Sequence, residues 1–86
     1  MHLHYTDRFR RAYRALTVEG RRRVQNALHR LAENPRHPGL HVKKLQGAGG
    51  IWEARASRSL RITFEIQDDV LILRNVGYHD ATLKQP

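Results

Sequence analysis

The stretch "LRITFEIQDDVLILRNVG", residues 60 to 77, constrains the fold most. Leu60, Ile62, Phe64 and Ile66 alternate with Arg61, Thr63 and Glu65. That period of two belongs to a strand with one face against an apolar layer. Asp68-Asp69 supplies a tight turn into a second strand, apolar from Val70 to Leu73. Upstream, "IWEARAS" reads as a third strand, joined to the first by a short turn near Arg58-Ser59. Three strands linked by short turns form an antiparallel meander. Such a sheet is unstable alone in water and needs a second layer on its apolar face.

The first half of the chain provides that layer. Thr6 or Asp7 can cap a helix whose apolar residues, Phe9, Ala12, Tyr13 and Leu16, recur at helical spacing. Thr17 starts a second helix, with Glu19 in its first turn and Val24, Ala27, Leu28 and Leu31 as its stripe; "NPRHPG" ends it. So tight a connection makes an antiparallel helical hairpin. "HLHYT" suits a short edge strand, "LHVKKLQ" begins extended, and "GAGG" (47–50) is a turn. The expected order is β-α-α-β-β-β. This is one α+β domain over residues 1–86, a two-layer sandwich with the helical hairpin on a twisted antiparallel sheet.

Charge narrows the partners. The chain carries +8 formally, and the excess sits in residues 1–50, with 11 basic and 3 acidic side chains; residues 51–86 carry 5 of each. A polyanion, nucleic acid or acidic protein, is the natural partner, and a merely soluble arginine-rich surface is the bland alternative. The chain has no cysteine, which excludes disulfides and thiolate metal sites. The polar start is no signal peptide, and no apolar run approaches the roughly 20 residues of a membrane span. A soluble, cytoplasmic protein without membrane contact is expected.

With helices on one face, strand parity places Glu53, Arg55 and Ser57, and Arg61, Thr63 and Glu65, on the other, which is expected to be open. Trp52, Ala54 and Ala56 then face the core. In the last strand His79 falls with Asn75 and Gly77, and Asp80 with Arg74 and Tyr78, unless a bulge exchanges them. Histidine beside arginines suits metal-free RNA cleavage. A base takes the 2′-hydroxyl proton, the oxygen attacks the adjacent phosphorus, an acid protonates the leaving oxygen, and guanidinium groups hold the phosphate. The same residues also fit a solvated histidine and a surface Glu53–Arg55 pair. His2, His4, His29, His37 and His41 show no metal-ligand spacing, and "GAGG" lacks the Lys-Ser/Thr and helix of a phosphate loop. No metal or cofactor is expected.

The ordered set of motifs is Asn-Pro, Gly-Leu, Lys-Leu-x-Gly, Trp-Glu-x-Arg, Arg-Ile-x-Phe and Val-Gly-x-His-Asp, after a basic helical hairpin. Together they resemble the RelE/ParE superfamily of bacterial toxins, over essentially the whole chain. The resemblance implies the toxin of a type II toxin–antitoxin system, a ribosome-dependent endoribonuclease that cleaves mRNA in the A site. By position, Arg61 matches a strand arginine contacting the scissile phosphate, and His79 matches the histidine of YoeB- and YafQ-like members. Glu53 or Asp80 is then the second proton-transfer group. Lys43, Lys44, Arg55, Arg58 and Tyr78 are the expected RNA- and phosphate-contacting side chains. RelE itself has an arginine near position 79 and a functional tyrosine beyond it; this chain has neither, and Asp80 stands where a YoeB-like member has its terminal tyrosine. The implied partners are an acidic, partly disordered antitoxin, the ribosome with its mRNA, and operator DNA for the antitoxin complex. Two other roles fit the same resemblance: a ParE-like inhibitor of DNA gyrase, and a weakly active homologue serving mainly as an antitoxin-binding co-repressor.

Overall fold

The computed structural model describes residues 1–47 and 49–86; Ala48, in the expected 47–50 turn, lies outside the described residues. Strand β1 (His2–Tyr5) leads into helices α1 (Asp7–Arg14) and α2 (Val18–Glu33) and a short 3-10 helix (Pro38–Leu40). Then follow β2 (Lys43–Lys44), β3 (Trp52–Arg55), β4 (Leu60–Gln67), β5 (Val70–Tyr78) and a third helix, α3 (His79–Lys84).

Both long helices start at a threonine. Thr6 Oγ1 accepts the Phe9 amide at 3.1 Å and Thr17 Oγ1 accepts the Gly20 amide at 3.0 Å, each satisfying a donor that the first helical turn leaves free. The α1–α2 hairpin lays Phe9, Leu16, Val24, Ala27, Leu28 and Leu31 on the sheet. There they meet Ala54, Leu60, Ile62, Phe64, Leu71, Leu73 and Val76 in one buried core. Each large side chain so buried stabilises the fold by about 1.5–3 kcal/mol relative to exposure. Trp52, expected in this core, packs against it but is only half-buried.

The α+β two-layer reading holds, with three additions. The five strands run in the order β1-β5-β4-β3-β2. The meander is antiparallel, but β1 pairs with β5 in parallel, Leu3 opposite Leu71 and Tyr5 opposite Leu73, so the sheet is mixed. Parallel neighbours need a long crossover, and here the helical hairpin and the rest of the sheet lie between them. "LHVKKLQ" contributes only the two-residue strand Lys43–Lys44. The third addition, α3, decides the character of the site.

Candidate active site

The face opposite the helical hairpin is not open. Helix α3 folds back against β4 and β5. The approach requires a glycine: a Cβ on Gly77 would lie 2.8 Å from the buried Thr82 Oγ1, closer than side chains pack. Beyond α3, the tail accepts hydrogen bonds from the sheet. Thr63 Oγ1 donates to the Pro86 carbonyl at 2.8 Å, and Asn75 Nδ2 to the Gln85 carbonyl at 2.9 Å.

The consequence for Glu53 and Arg61 corrects the sequence reading. Both were expected on a solvent-facing surface; they are 1% and 6% exposed. Arg61 Nε donates to Glu53 Oε1 at 3.0 Å, a cross-strand ion pair between β4 and β3. Arg61 Nη1 also donates to the carbonyls of Ser57 at 3.0 Å and Arg58 at 2.8 Å. The guanidinium therefore holds the β3–β4 turn from beneath and is not free to clamp a ligand. Glu53 Oε2 is buried without a partner among the described residues. The expected surface pair between Glu53 and Arg55 is replaced by this buried one.

The other residues are disposed around that pair. Lys43 lies opposite Glu53 and Lys44 opposite Trp52, so the two lysines present to different faces, and both are exposed. Arg55 lies opposite Arg61 and is exposed, as is Arg58 in the turn. Arg74 is the extra residue of a bulge in β5, since Thr63 pairs with Asn75 and Phe64 with Leu73. Its guanidinium turns to Glu65 Oε2 at 2.6 Å.

His79 does not extend the strand, as parity arguments assumed; it opens α3. Its amide donates to the Ser59 carbonyl at 2.9 Å, which ties the β5–α3 junction to the β3–β4 turn. The exposed imidazole has Nδ1 3.3 Å from Asp80 Oδ1. A carboxylate at that position favours the proton on Nδ1 and leaves Nε2 to exchange protons with a ligand. Exposed Tyr78 precedes it, opposite Leu60. One end of the sheet thus collects His79, Asp80, Tyr78, Arg55 and Arg58 around a turn fixed by Arg61. Lys43 and Lys44 stand apart on the edge strand. Among the described residues no three His, Asp or Glu side chains gather to hold a metal ion, and no helix is long and apolar enough to cross a membrane.

The sequence reading missed α3. The available signal was weak: after Gly77, seven residues without glycine or proline precede Gln85-Pro86, with Asp80 early and Lys84 late, the charge order that suits a helix dipole.

No protein-family model matches this sequence, and no curated protein does. Solved structures match over nearly the whole chain. YafQ from E. coli strain BL21(DE3) is 16% identical, covers 94% of each chain and superposes with a TM-score of 0.78. The match in the intact E. coli RelBE toxin–antitoxin complex is 22% identical, covering 92% of this chain and 96% of that one at a TM-score of 0.72. A YoeB/ParE toxin from Agrobacterium tumefaciens is 15% identical, with 92% and 99% coverage and a TM-score of 0.76. From end to end, this chain has the fold of the YafQ-, RelE- and YoeB-type toxins.

Proposed function

We propose that this protein is the toxin of a type II toxin–antitoxin pair and acts as a ribosome-dependent endoribonuclease on mRNA. The observation that carries the reading is the exposed His79–Asp80 pair, tied to a turn bearing Arg55 and Arg58, on a fold shared throughout its length with such toxins. His79 Nε2 takes the ribose 2′-hydroxyl proton, and Asp80 orients the ring through its contact with Nδ1. The ribose 2′-oxygen bonds to the adjacent phosphorus, the bond to the 5′-oxygen breaks, and that oxygen leaves with the proton returned by His79 Nε2. Arg55 and Arg58, beside the same turn, draw the RNA backbone toward it. Arg61 is a positioning residue, acting through the turn it holds. An A-site mRNA is single-stranded, the form in which the RNA backbone is accessible to a small basic domain. The antitoxin is an acidic segment that neutralises the +8 charge on binding.

One observation favours a second reading, a weakly active homologue that mainly binds its antitoxin: Glu53 and Arg61 are buried and paired with each other. The test adds purified protein to ribosomes programmed with a defined mRNA and maps new 5′ ends, beside ribosome-free mRNA. Cuts at the A-site codon, lost in His79→Ala and reduced in Asp80→Asn, are expected. A folded protein that makes no cuts refutes the nuclease and leaves antitoxin binding, or gyrase inhibition if DNA breaks accumulate instead.

A further inference from the structure

A second cationic site lies behind the turn that borders His79. Between α2, the 3-10 helix and the β3–β4 turn is a cleft of about 440 Å³, lined by Arg23, Arg30, Arg55 and Arg58 with Asn26 and His41 among its other polar residues. Among the described residues no Asp or Glu lines it. Arg23 is already held by Glu19, Nε to Oε1 at 3.1 Å. Arg30, Arg55 and Arg58 form no ion pair among the described residues. Around one concavity these three arginines repel each other, and none of the three is neutralised by a carboxylate among the described residues.

We propose that this cleft binds a phosphodiester of an RNA backbone, held by Arg30, Arg55 and Arg58. Planar guanidinium forks match phosphate oxygens in pairs. The cleft offers no Phe, Tyr or Trp on which a base would stack, so it contacts backbone and not sequence. Its apolar lining is limited to Ala27, Leu40 and Ala56, with little to anchor the hydrophobic side chains of a protein partner. Ser57 and Arg58 line the cleft while the next residue, Ser59, accepts the His79 amide. An RNA strand passing over the turn would place one phosphate in the cleft and a later one at His79. The inference thus deepens the nuclease reading by naming a second contact with its substrate.

The test measures binding of a short single-stranded 2′-O-methyl RNA, which cannot be cleaved, so its result stands whether or not the nuclease reading does. Arg30→Gln/Arg58→Gln is compared with Arg11→Gln/Arg36→Gln, which removes the same charge from exposed positions outside the cleft. Each phosphate contact on single-stranded RNA contributes about 0.7 to the slope of log K against log salt, or roughly fivefold in affinity at 0.1 M salt. The cleft variant is expected to lose about fivefold in affinity and about 0.7 in slope, the contribution of the one phosphate held there, and the control much less. Equal losses in both variants, or an unchanged slope in the cleft variant, would overturn the site. So would a cleft variant that keeps its RNA affinity while losing a poly-glutamate peptide, which would make this an acidic-protein site.

Discussion

Replacing Arg61 with alanine should damage the fold before it damages any chemistry. The side chain is 6% exposed and neutralises a glutamate that is 1% exposed, whose second oxygen already lacks a partner among the described residues. Removing one member of a buried ion pair strands the other charge, which costs about 3–5 kcal/mol. The carbonyls of Ser57 and Arg58 lose their donor as well. A domain of this length has roughly 4–13 kcal/mol of stability in total, so Arg61→Ala should leave it marginal. Removing both charges tells a different story, because a buried pair replaced by apolar residues of similar volume is often neutral or better. Arg61→Met/Glu53→Leu should therefore recover most of the loss. Equilibrium urea titrations read both effects as a shift in midpoint at constant slope. If Arg61→Ala costs under about 1 kcal/mol, the side chain behaves as a solvent-facing residue and the structural reading is refuted. A double variant no better than the single one would equally refute the stranded-charge argument. Loss of toxicity in Arg61→Ala thus counts toward chemistry only after its stability has been measured.

Two further outcomes follow from contacts elsewhere. Gly77→Ala sets a Cβ 2.8 Å from Thr82 Oγ1 and should cost about 1–3 kcal/mol as α3 shifts; Thr82→Ala in the same chain removes the clash, so a double-mutant cycle with no coupling would mean that α3 does not dock there. Glu19 is fully exposed, and the hydrogen bond from Arg22 holds its carboxyl below the usual carboxylate range. A depressed folded-state pKa stabilises the protein at neutral pH, and that contribution fades as the pH falls through the folded value below about 4.5. The melting-temperature difference between wild type and Glu19→Gln should accordingly shrink between about pH 7 and about pH 3 at low salt; a difference independent of pH would show that the Arg22 contact adds nothing.

The helices and the meander were legible because their signals are local. Thr6 and Thr17 precede apolar residues at helical spacing, and Leu60 to Ile66 alternates cleanly; each pattern depends only on neighbours in sequence. The parallel pairing of β1 with β5 was not legible, because register between strands some 65 residues apart leaves no local mark. Burial of Glu53 and Arg61 was hidden for a related reason. Parity correctly placed both away from the helical layer, but whether that face is wet depends on residues 79–86, whose short polar sequence resembles a tail. A polar residue on a strand reports which face it occupies and not what covers that face. The bulge at Arg74 also shifted the parity of β5, so His79 could not be assigned to a face by counting.

That distinction changes which residues can do chemistry in this conformation. A proton-transfer group must reach the hydroxyl it serves, within hydrogen-bond distance or through one water. Glu53 is buried and engaged by Arg61, so it does not meet that condition, whereas His79 is exposed and Asp80 sits beside its Nδ1. The sealed pair still contributes, because the turn that Arg61 grips carries Arg58, and Ser59 in that turn accepts the His79 amide. The buried ion pair thus anchors the backbone of the turn that carries Arg58 and accepts the His79 amide. The same logic separates two classes of variant. Changes at Asp80 should lower cleavage across its pH profile with little change in stability. Changes at Glu53 or Arg61 should lower stability and activity together and leave the profile where it was. A pH profile displaced by Glu53→Gln at full stability would return Glu53 to the chemistry and require α3 to leave the face during the reaction.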